Sequence, residues 1–208
     1  MRNALVLICA LGLGGVAAAQ APKPAAPPAA KPAPAAAKPP AAGAAARAKA
    51  GATPVFRIET AKGTMVVETY PTDAPKSFEH ILALVKRRFY NGQAVHRVVA
   101  GQAVQFGDPQ SRNMMLVDWW GRGPNSGSGS PIGVSEVSKT RQHRRGTVSI
   151  ANAGSPAAGD SQLFIALRAV PKWDGHYTIV GQVTSGLEVA DKLARGDKIT
   201  AVTVTGAP

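Results

Sequence analysis

Arg97 is the residue of this sequence whose type and placement are best suited to chemistry. It lies in an apolar run with the sequence AVHRVV, at residues 94–99. Because successive side chains of a strand face opposite ways, Val95, Arg97 and Val99 share one face, which therefore combines aliphatic packing with a permanent cation. A guanidinium offers N–H donors in a fixed fork and accepts no proton at neutral pH. Arg97 is either a donor to a lone pair or carbonyl, or a strand-edge cation paired with a carboxylate.

The other polar residues favour neither metal chemistry nor nucleophilic catalysis. The four histidines, at positions 80, 96, 143 and 176, lack metal-ligand spacing, and the only cysteine is Cys9. Serines are frequent, but no Gly-x-Ser-x-Gly elbow stands between a strand and a helix. The Gly121-x-Gly123 pair is not followed by a helix signal, so it does not indicate phosphate binding. We expect no metal site and no cofactor.

Arg97 belongs to the first of three motifs that follow one another in a fixed order. The motifs are AVHRVVAGQAVQFGDP at 94–109, ANAGSPAAGDSQLFI at 151–165 and WDGHYTIVG at 173–181. Together they resemble the cyclophilin family of peptidyl-prolyl cis-trans isomerases, in one register over roughly residues 56–204. The positions that carry the resemblance are His96, Arg97, Gly101, Gln105, Gly107, Asp108, Ala151, Asn152, Ala153, Gly154, Ser161, Gln162, Phe164, Ile165, Asp174, Gly175 and Gly181.

The resemblance implies a catalytic role for Arg97, as the donor to the prolyl nitrogen of a twisted amide. Residues implied to bind or border the substrate are His96, Gln102, Ala103, Gln105, Ala151, Asn152, Gln162, Phe164, Trp173 and Tyr177. Among these, Gln105 and Asn152 would hold the substrate backbone, Asn152 chiefly through its main chain, and Gln162 would help position Arg97. Ala103 and Phe164 would line the proline pocket.

The remaining implied roles are more peripheral. Trp173 would form a wall of the proline pocket, and Tyr177 would take a polar corner where many relatives have histidine. Ala151 and His96 would be structural neighbours of the site. Taken alone, Phe164 and Trp173 are equally consistent with core packing.

Three positions depart from the family pattern. Gln102 replaces the phenylalanine of the pocket floor, and Val95 replaces an aromatic residue before the His-Arg pair. Proline binding is then weakened unless Trp119 or Trp120 supplies the floor, because apolar contact is lost. Lys172 stands where cyclosporin-binding relatives have tryptophan, so we expect weak cyclosporin binding. These departures leave a catalytically weak peptide-binding or chaperone module as the alternative.

The arrangement of the predicted elements indicates a mainly β fold. Alternating or β-rich runs predict eight strands, at 55–60, 64–70, around Arg97, and at 103–106, 146–151, 163–167, 178–183 and 199–204. One helix is expected to begin at Pro75, and a second to run from a Ser-Gly-Leu-Glu capping box at Ser185 to Gly196. Many short strands with two helices favour a closed eight-stranded antiparallel β-barrel capped by two α-helices, which the cyclophilin resemblance also implies.

A long loop is predicted between the strands. Residues 109–131 contain strong chain breakers, together with Met114, Met115, Trp119 and Trp120. We expect these four side chains to fold back on the core; the alternative is an exposed patch for a partner.

The N-terminal region predicts export. Residues 1–19 combine Arg2, a short apolar run and small residues, as in a secretory signal peptide. Residues 20–52 are almost entirely Ala, Pro and Lys, a composition typical of a disordered spacer that could serve as an envelope tether. The predicted isomerase domain is 53–208, and a bacterial periplasmic location fits this order.

The charge of the chain is moderate once the N-terminal region is set aside. The formal net charge is +12, and about half of it comes from Arg2 and the cations of the spacer. The basic clusters at 86–88 and 141–145 fit solvated element ends better than a nucleic-acid surface, although polyanion binding at the envelope is a further alternative. We expect proline-containing polypeptides as partners, no nucleic acid, and a monomer.

Overall fold

The structure, a computed structural model, describes residues 53–122 and 127–206 and is mainly β. Within these residues, eight strands form one antiparallel sheet in the order β3-β4-β6-β5-β7-β2-β1-β8. The strands are β1 (Val55–Thr60), β2 (Gly63–Thr69), β3 (Arg97–Val99), β4 (Ala103–Phe106), β5 (Thr147–Ile150), β6 (Leu163–Ala166), β7 (Ile179–Ser185) and β8 (Ile199–Thr205). The predicted fold class is confirmed. The predicted signal peptide and spacer lie outside the described residues.

The sheet curls toward a barrel, but its closure is only approximate. The edge strands β3 and β8 form no regular ladder; the segments that lead into them are joined by one isolated bridge, between Ala94 and Lys198. Backbone hydrogen bonds beside that bridge complete the seam: Val95 N–H donates to the Asp197 carbonyl and Ile199 N–H to the Gln93 carbonyl, each at 2.8 Å. Arg97 follows directly after this seam.

Alternation of apolar and polar residues explains the opening hairpin. In β1, Phe56 and Ile58 are buried and Arg57 is exposed, as the period of a half-buried strand requires. Phe56 pairs with Val67 and Ile58 with Met65 across the hairpin. The hairpin thus contributes one wall of the apolar core.

Helix α1 (Pro75–Lys86) covers one end of the sheet with a stripe that includes Phe78, Ile81 and Val85. Pro75 occupies the first helical turn, as predicted. The N-cap side chain makes no capping bond, and the carboxylate of Glu136 takes its place. It accepts hydrogen bonds from the backbone N–H groups of Lys76 (3.1 Å) and Ser77 (2.8 Å). The cap is therefore a tertiary contact that pins the 136 region to the helix.

Helix α2 (Leu187–Lys192) differs from its prediction. Ser185 ends β7, Gly186 is the N-cap, and no side-chain capping bond is made, so the predicted capping box is wrong. Gly186 adopts φ +77°, and a Cβ there would lie 2.0 Å from the Thr64 carbonyl oxygen. This close approach to β2 requires a glycine at position 186 in the turn. The helix also ends at Lys192, short of Gly196. Neither α1 nor α2 has the length and apolar character needed to cross a bilayer.

The segment after β4 is more ordered than a plain loop. It forms two 3₁₀ helices, Pro109–Arg112 and Met114–Trp119. Trp120 is 5% exposed and folds back as predicted, whereas Met115 is 89% and Trp119 62% exposed. The expectation that all four large side chains fold inward is therefore wrong for Met114, Met115 and Trp119.

Candidate active site

One cavity gathers most of the residues predicted to form the site. It has a volume of about 130 Å³ and opens to solvent between β3, β4, β6 and the segments around Asn152 and Trp173. A cavity of roughly 150 Å³ is enough for a benzene ring, so a five-membered pyrrolidine ring is of suitable size. The lining residues are Arg97, Val99, Gln102, Ala103, Gln105, Ala151, Asn152, Phe164, Trp173 and Tyr177.

The strand register sets three of these residues side by side. Arg97 of β3 pairs directly with Gln105 of β4, and Gln105 pairs with Phe164 of β6. Directly opposed residues of an antiparallel pair have Cβ atoms about 5 Å apart and share a face. A guanidinium, an amide and an aromatic ring therefore form one row across the sheet. A cation at one end and a hydrophobic ring at the other are presented to the same cavity.

Arg97 is exposed to the cavity. Within residues 53–122 and 127–206 its guanidinium makes no hydrogen bond and no ion pair with another side chain. The strand-edge ion pair that the sequence left open is therefore not found in the part of the chain that the structure describes. As far as these residues go, the donors of Arg97 are available to a ligand.

Gln105 has a defined orientation. Its Nε2 donates to Oε1 of Gln162 at 2.8 Å. Gln162 is buried and does not line the proline-sized cavity. The bond fixes the amide of Gln105 and leaves its own Oε1 available to accept from a ligand N–H. Among the described residues Gln162 makes no hydrogen bond to Arg97, but it holds Gln105, which pairs with Arg97 across β3 and β4, so its implied role in positioning Arg97 stays a prediction.

The side-chain amide of Asn152 is engaged in local hydrogen bonds. Nδ2 donates to the His176 carbonyl at 2.9 Å, and Oδ1 accepts from the Gly154 N–H at 3.0 Å. Both functional groups of the side chain are engaged in fixing the local turns. This agrees with a main-chain role for Asn152 in substrate binding, which stays a prediction.

An aromatic cluster forms one wall of the cavity. Phe164 makes edge contacts with Trp173 and with Tyr177, at ring-centroid distances of 5.1 and 5.2 Å. Trp173 and Tyr177 also contact each other, at 6.2 Å. Phe164 is buried and the other two rings are partly buried, so the wall is packed as well as apolar.

His143 supports this wall from behind and was missed by the sequence analysis. It was assigned to an exposed basic cluster, yet it is 1% exposed and stacks on Phe164. Its Nδ1 lies 2.7 Å from Asp174 Oδ1, and its Nε2 lies 3.1 Å from the Ser149 hydroxyl. Burial lowers the pKa of His143, against the opposing effect of Asp174. No local sequence pattern predicts this contact, because His143 and Asp174 are 31 residues apart in the chain.

Asp174 is the partner that holds His143 in place. Its Oδ1 also accepts from the His143 backbone N–H at 2.7 Å. Although partial burial acts to raise it, the pKa of Asp174 is lowered by the hydrogen bonds from His143. A carboxylate thus anchors the ring that supports Phe164.

His96 and Gln162 belong to a second cavity next to the first. This cavity, of about 590 Å³, shares Arg97, Gln105, Ala151 and Asn152 with the first, and Trp120 and Gly121 also line it. Neither ring nitrogen of His96 has a hydrogen-bond partner among the described residues, although the Gln162 amide is nearby. Burial lowers the pKa of His96 from 6.5 to about 4, against the opposing effect of Asp108. His96 is a neutral structural neighbour of the site.

The floor of the first cavity is formed without help from the tryptophans. Gln102 and Ala103 line it from β4 and the turn before it, and Val99 lines it from β3. Neither Trp119 nor Trp120 reaches it, so the suggestion that one of them replaces the missing phenylalanine is wrong. Val99 was not named as a site residue, although strand alternation placed it on the same face as Arg97. Lys172 is exposed beside Trp173, and the expected weak cyclosporin binding stays a prediction.

Metal ligation has no support in the described part of the chain. There, no three His, Cys, Asp or Glu side chains are close enough together to hold an ion.

Comparison with known families gives a match over nearly all described residues. The model of the cyclophilin type peptidyl-prolyl cis-trans isomerase family matches residues 55–206. A peptidyl-prolyl cis-trans isomerase of Helicobacter pylori is 37% identical over 147 residues, which is 70% of this chain and 83% of that protein. A peptidyl-prolyl cis-trans isomerase of Arabidopsis thaliana is 37% identical over 144 residues, 69% of this chain and 82% of that protein.

Solved structures give the same fold. A cyclophilin type isomerase of Cryptosporidium parvum, crystallised in the presence of the dipeptide Ala-Pro, superposes with a TM-score of 0.63 at 25% identity, covering 73% of this chain and 98% of that one. A cyclophilin from Hirschia baltica superposes with a TM-score of 0.55 at 21% identity, covering 72% of this chain and 73% of that one.

Proposed function

The chain belongs to the cyclophilin family and is a peptidyl-prolyl cis-trans isomerase, and from this premise we propose that Arg97 accelerates the reaction by stabilising the twisted prolyl amide. The observation that carries the proposal is the row formed by Arg97, Gln105 and Phe164 across β3, β4 and β6. It presents a guanidinium with no side-chain partner among the described residues beside a cavity of pyrrolidine size that has an aromatic wall.

The physical basis is selective binding of the transition state. Rotation about the amide destroys its resonance, and the uncatalysed barrier is about 18–20 kcal/mol. As the bond twists, the prolyl nitrogen becomes pyramidal and gains a lone pair. A donor placed at that nitrogen binds the twisted form and gains nothing from either planar form, so it lowers the barrier.

The size of this effect can be bounded. A hydrogen bond from a charged donor contributes roughly 1.5–3 kcal/mol net. Since about 1.4 kcal/mol corresponds to a tenfold change in rate, Arg97 supplies about one to two powers of ten. The remainder of the acceleration must come from how the peptide is held.

The residues around Arg97 are proposed to hold the peptide. The proline ring is proposed to rest against Phe164 in the first cavity. Gln105 accepts from a substrate N–H through the Oε1 that its bond to Gln162 leaves free. Asn152 offers its backbone, since its side chain is engaged elsewhere. Holding the two sides of the bond separately favours rotation of one side against the other.

Proline-containing polypeptides are the proposed substrates. The Ala-Pro dipeptide named with the Cryptosporidium parvum structure supports this choice for a related protein. Of this chain we propose that folding polypeptides in the cell envelope are the clients. The support is the export pattern of residues 1–19, followed by the Ala-Pro-Lys spacer of residues 20–52, which would act as a tether.

The catalytic proposal is tested by the rate of cis-trans relaxation of a short Ala-Pro peptide. Arg97→Ala should lower kcat/KM by about ten- to a hundredfold relative to the unmodified protein. Arg57→Ala is the matched control, because Arg57 is an exposed strand arginine of β1 that pairs with Glu59 away from the cavity. Equal rates for the Arg97→Ala variant and the unmodified protein would contradict the proposal.

A catalytically weak peptide-binding protein is the second candidate. It is favoured by Gln102, whose polar side chain lines the cavity where the family pattern has phenylalanine. It predicts peptide binding with little acceleration. The same relaxation assay, with binding measured in parallel, separates the two.

A further inference from the structure

The large apolar side chains that are exposed in the described residues all lie on one short element. They are Met114 (56% exposed), Met115 (89%), Leu116 (36%) and Trp119 (62%), all in the Met114–Trp119 3₁₀ helix. Single exposed apolar side chains are normal on protein surfaces, but a contiguous group marks a binding surface. We call these four side chains the Met-Trp patch.

The backbone under the Met-Trp patch is held firmly, so the exposure does not reflect a loose segment. At its start, the Asn113 side chain accepts from the Met115 N–H at 2.9 Å, and the Asn113 carbonyl accepts from Trp120 Nε1 at 3.1 Å. On its side, Arg195 donates to the Val117 carbonyl and lies over the Trp120 ring.

The two ends of the segment are joined through one buried carboxylate. Asp108 Oδ1 accepts from the Gln110 N–H at 2.9 Å, and Asp108 Oδ2 accepts from the Gly121 N–H at 2.5 Å. Between these ends, Trp120 is buried and Trp119 is exposed. The fold therefore presents the Met-Trp patch as a fixed surface.

The helix that carries the patch also borders the site, through residues other than the four patch side chains. Asp118, Trp120 and Gly121, from the patch helix and the residues after it, line the second cavity. That cavity shares Arg97 and Gln105 with the proline cavity. A polypeptide that leaves the proline cavity past Arg97 therefore runs along a path bordered by the patch helix.

The chemistry of the patch suits variable apolar partners. Methionine side chains are flexible and polarizable, so they adapt to side chains of different shape. Tryptophan adds a large contact area. Asp118 and Arg122 give the neighbouring second cavity charges of both signs, which suits a polypeptide partner better than a uniformly charged one. Unfolded chains expose apolar side chains near their prolines, whereas folded proteins bury them.

We propose that Met114, Met115, Leu116 and Trp119 form a docking surface for apolar side chains of an unfolded polypeptide whose proline occupies the neighbouring cavity. This inference rests on the proposed isomerase function of that cavity. Such a docking surface makes the protein more effective on unfolded proteins than on peptides too short to reach the Met-Trp patch.

The test uses a Met114→Ser, Met115→Ser, Trp119→Ser variant of the full chain and two substrates. One is a short Ala-Pro peptide; the other is a reduced and carboxymethylated protein whose refolding is limited by prolyl isomerisation. With the peptide, kcat/KM should stay within about twofold, whereas acceleration of refolding should fall about tenfold. The control variant, Thr200→Ala, Thr203→Ala, Thr205→Ala, changes exposed residues of β8 and should leave both rates unchanged.

Other results would overturn the inference. Equal loss on both substrates would assign the patch a structural role, and no loss on refolding would leave it without a substrate role. If the triple serine variant instead loses binding to phosphatidylglycerol vesicles, or loses self-association, with refolding unchanged, the patch binds membrane or a second copy. An unmodified protein inactive on the peptide would contradict the proposed function itself, which is a different outcome.

Discussion

Phe164, which lines the proline cavity, stacks on the buried ring of His143, with ring centroids 6.0 Å apart and ring planes 14° apart. His143 is in turn held by Asp174 and Ser149. The apolar wall of the site therefore rests on a polar hydrogen-bonded layer beneath it. Because buried polar groups need defined partners, this layer fixes the ring position more strictly than an aliphatic core residue would.

His143→Ala should loosen the wall and weaken substrate binding. Removing the ring leaves a cavity under Phe164, which then loses its fixed position. We expect KM for an Ala-Pro peptide to rise about tenfold with kcat changed less than about threefold, because Arg97 lies on a different strand. His143→Phe, which keeps an aromatic ring under Phe164, should recover part of the loss. A fall in kcat at unchanged KM would contradict a positioning role.

Gln102→Phe should tighten binding of proline peptides. A phenyl ring adds roughly 50 Å² of apolar contact with a proline ring, worth about 1.3 kcal/mol at 25 cal/mol per Å². KM should therefore fall by about tenfold in steady-state assays. Gln142→Phe, at an exposed glutamine away from the cavity, controls for added surface hydrophobicity. An unchanged or higher KM would show that Gln102 does not limit proline binding.

Acid should destabilise the fold through His96. Its folded-state pKa of about 4 is below the unfolded value of 6.5, so the unfolded chain binds more protons between these values. The associated stability is present above pH 6.5 and is lost as the pH falls toward 4. Linkage gives a loss of about 2 kcal/mol for this group between pH 7.5 and pH 5.

Urea unfolding at the two pH values measures this effect. Between pH 7.5 and pH 5, the His96→Gln variant should lose about 2 kcal/mol less free energy of unfolding than the unmodified protein. The His176→Gln variant, which changes an exposed histidine, should lose as much as the unmodified protein. Identical pH dependence in the His96→Gln variant and the unmodified protein would refute the assignment.

Glu136→Gln should destabilise helix α1 without affecting catalysis. Glu136 accepts from two N–H groups at the positive end of the helix, where a carboxylate is favourable. We expect a loss of about 1 kcal/mol, or about 2–4 °C in Tm for a domain of this size. Glu79→Gln, at an exposed position inside α1, should change Tm by less than 1 °C. An equal change in Tm for both substitutions would contradict the capping role of Glu136.

Sequence reasoning succeeded where the physical cause is local. Strand alternation predicts both the strands and the shared face of Arg97 and Val99, and the motif order predicts the family. It failed where the structure depends on contacts between residues that are distant in the sequence. Glu136 caps α1 from 59 residues away, and His143 finds Asp174 31 residues further along the chain. At Gly186 the local capping signal was overridden by close packing against Thr64.

The most direct test of the Arg97 mechanism separates binding of the planar peptide from its rotation. Exchange-rate and binding measurements by NMR on an Ala-Pro peptide would give both quantities for Arg97→Ala, with Arg57→Ala as the control. We predict that the catalysed exchange rate at saturation falls about ten- to a hundredfold while Kd changes less than about threefold. A rise in Kd that accounts for the whole loss, with the rate at saturation intact, would contradict selective stabilisation of the twisted amide.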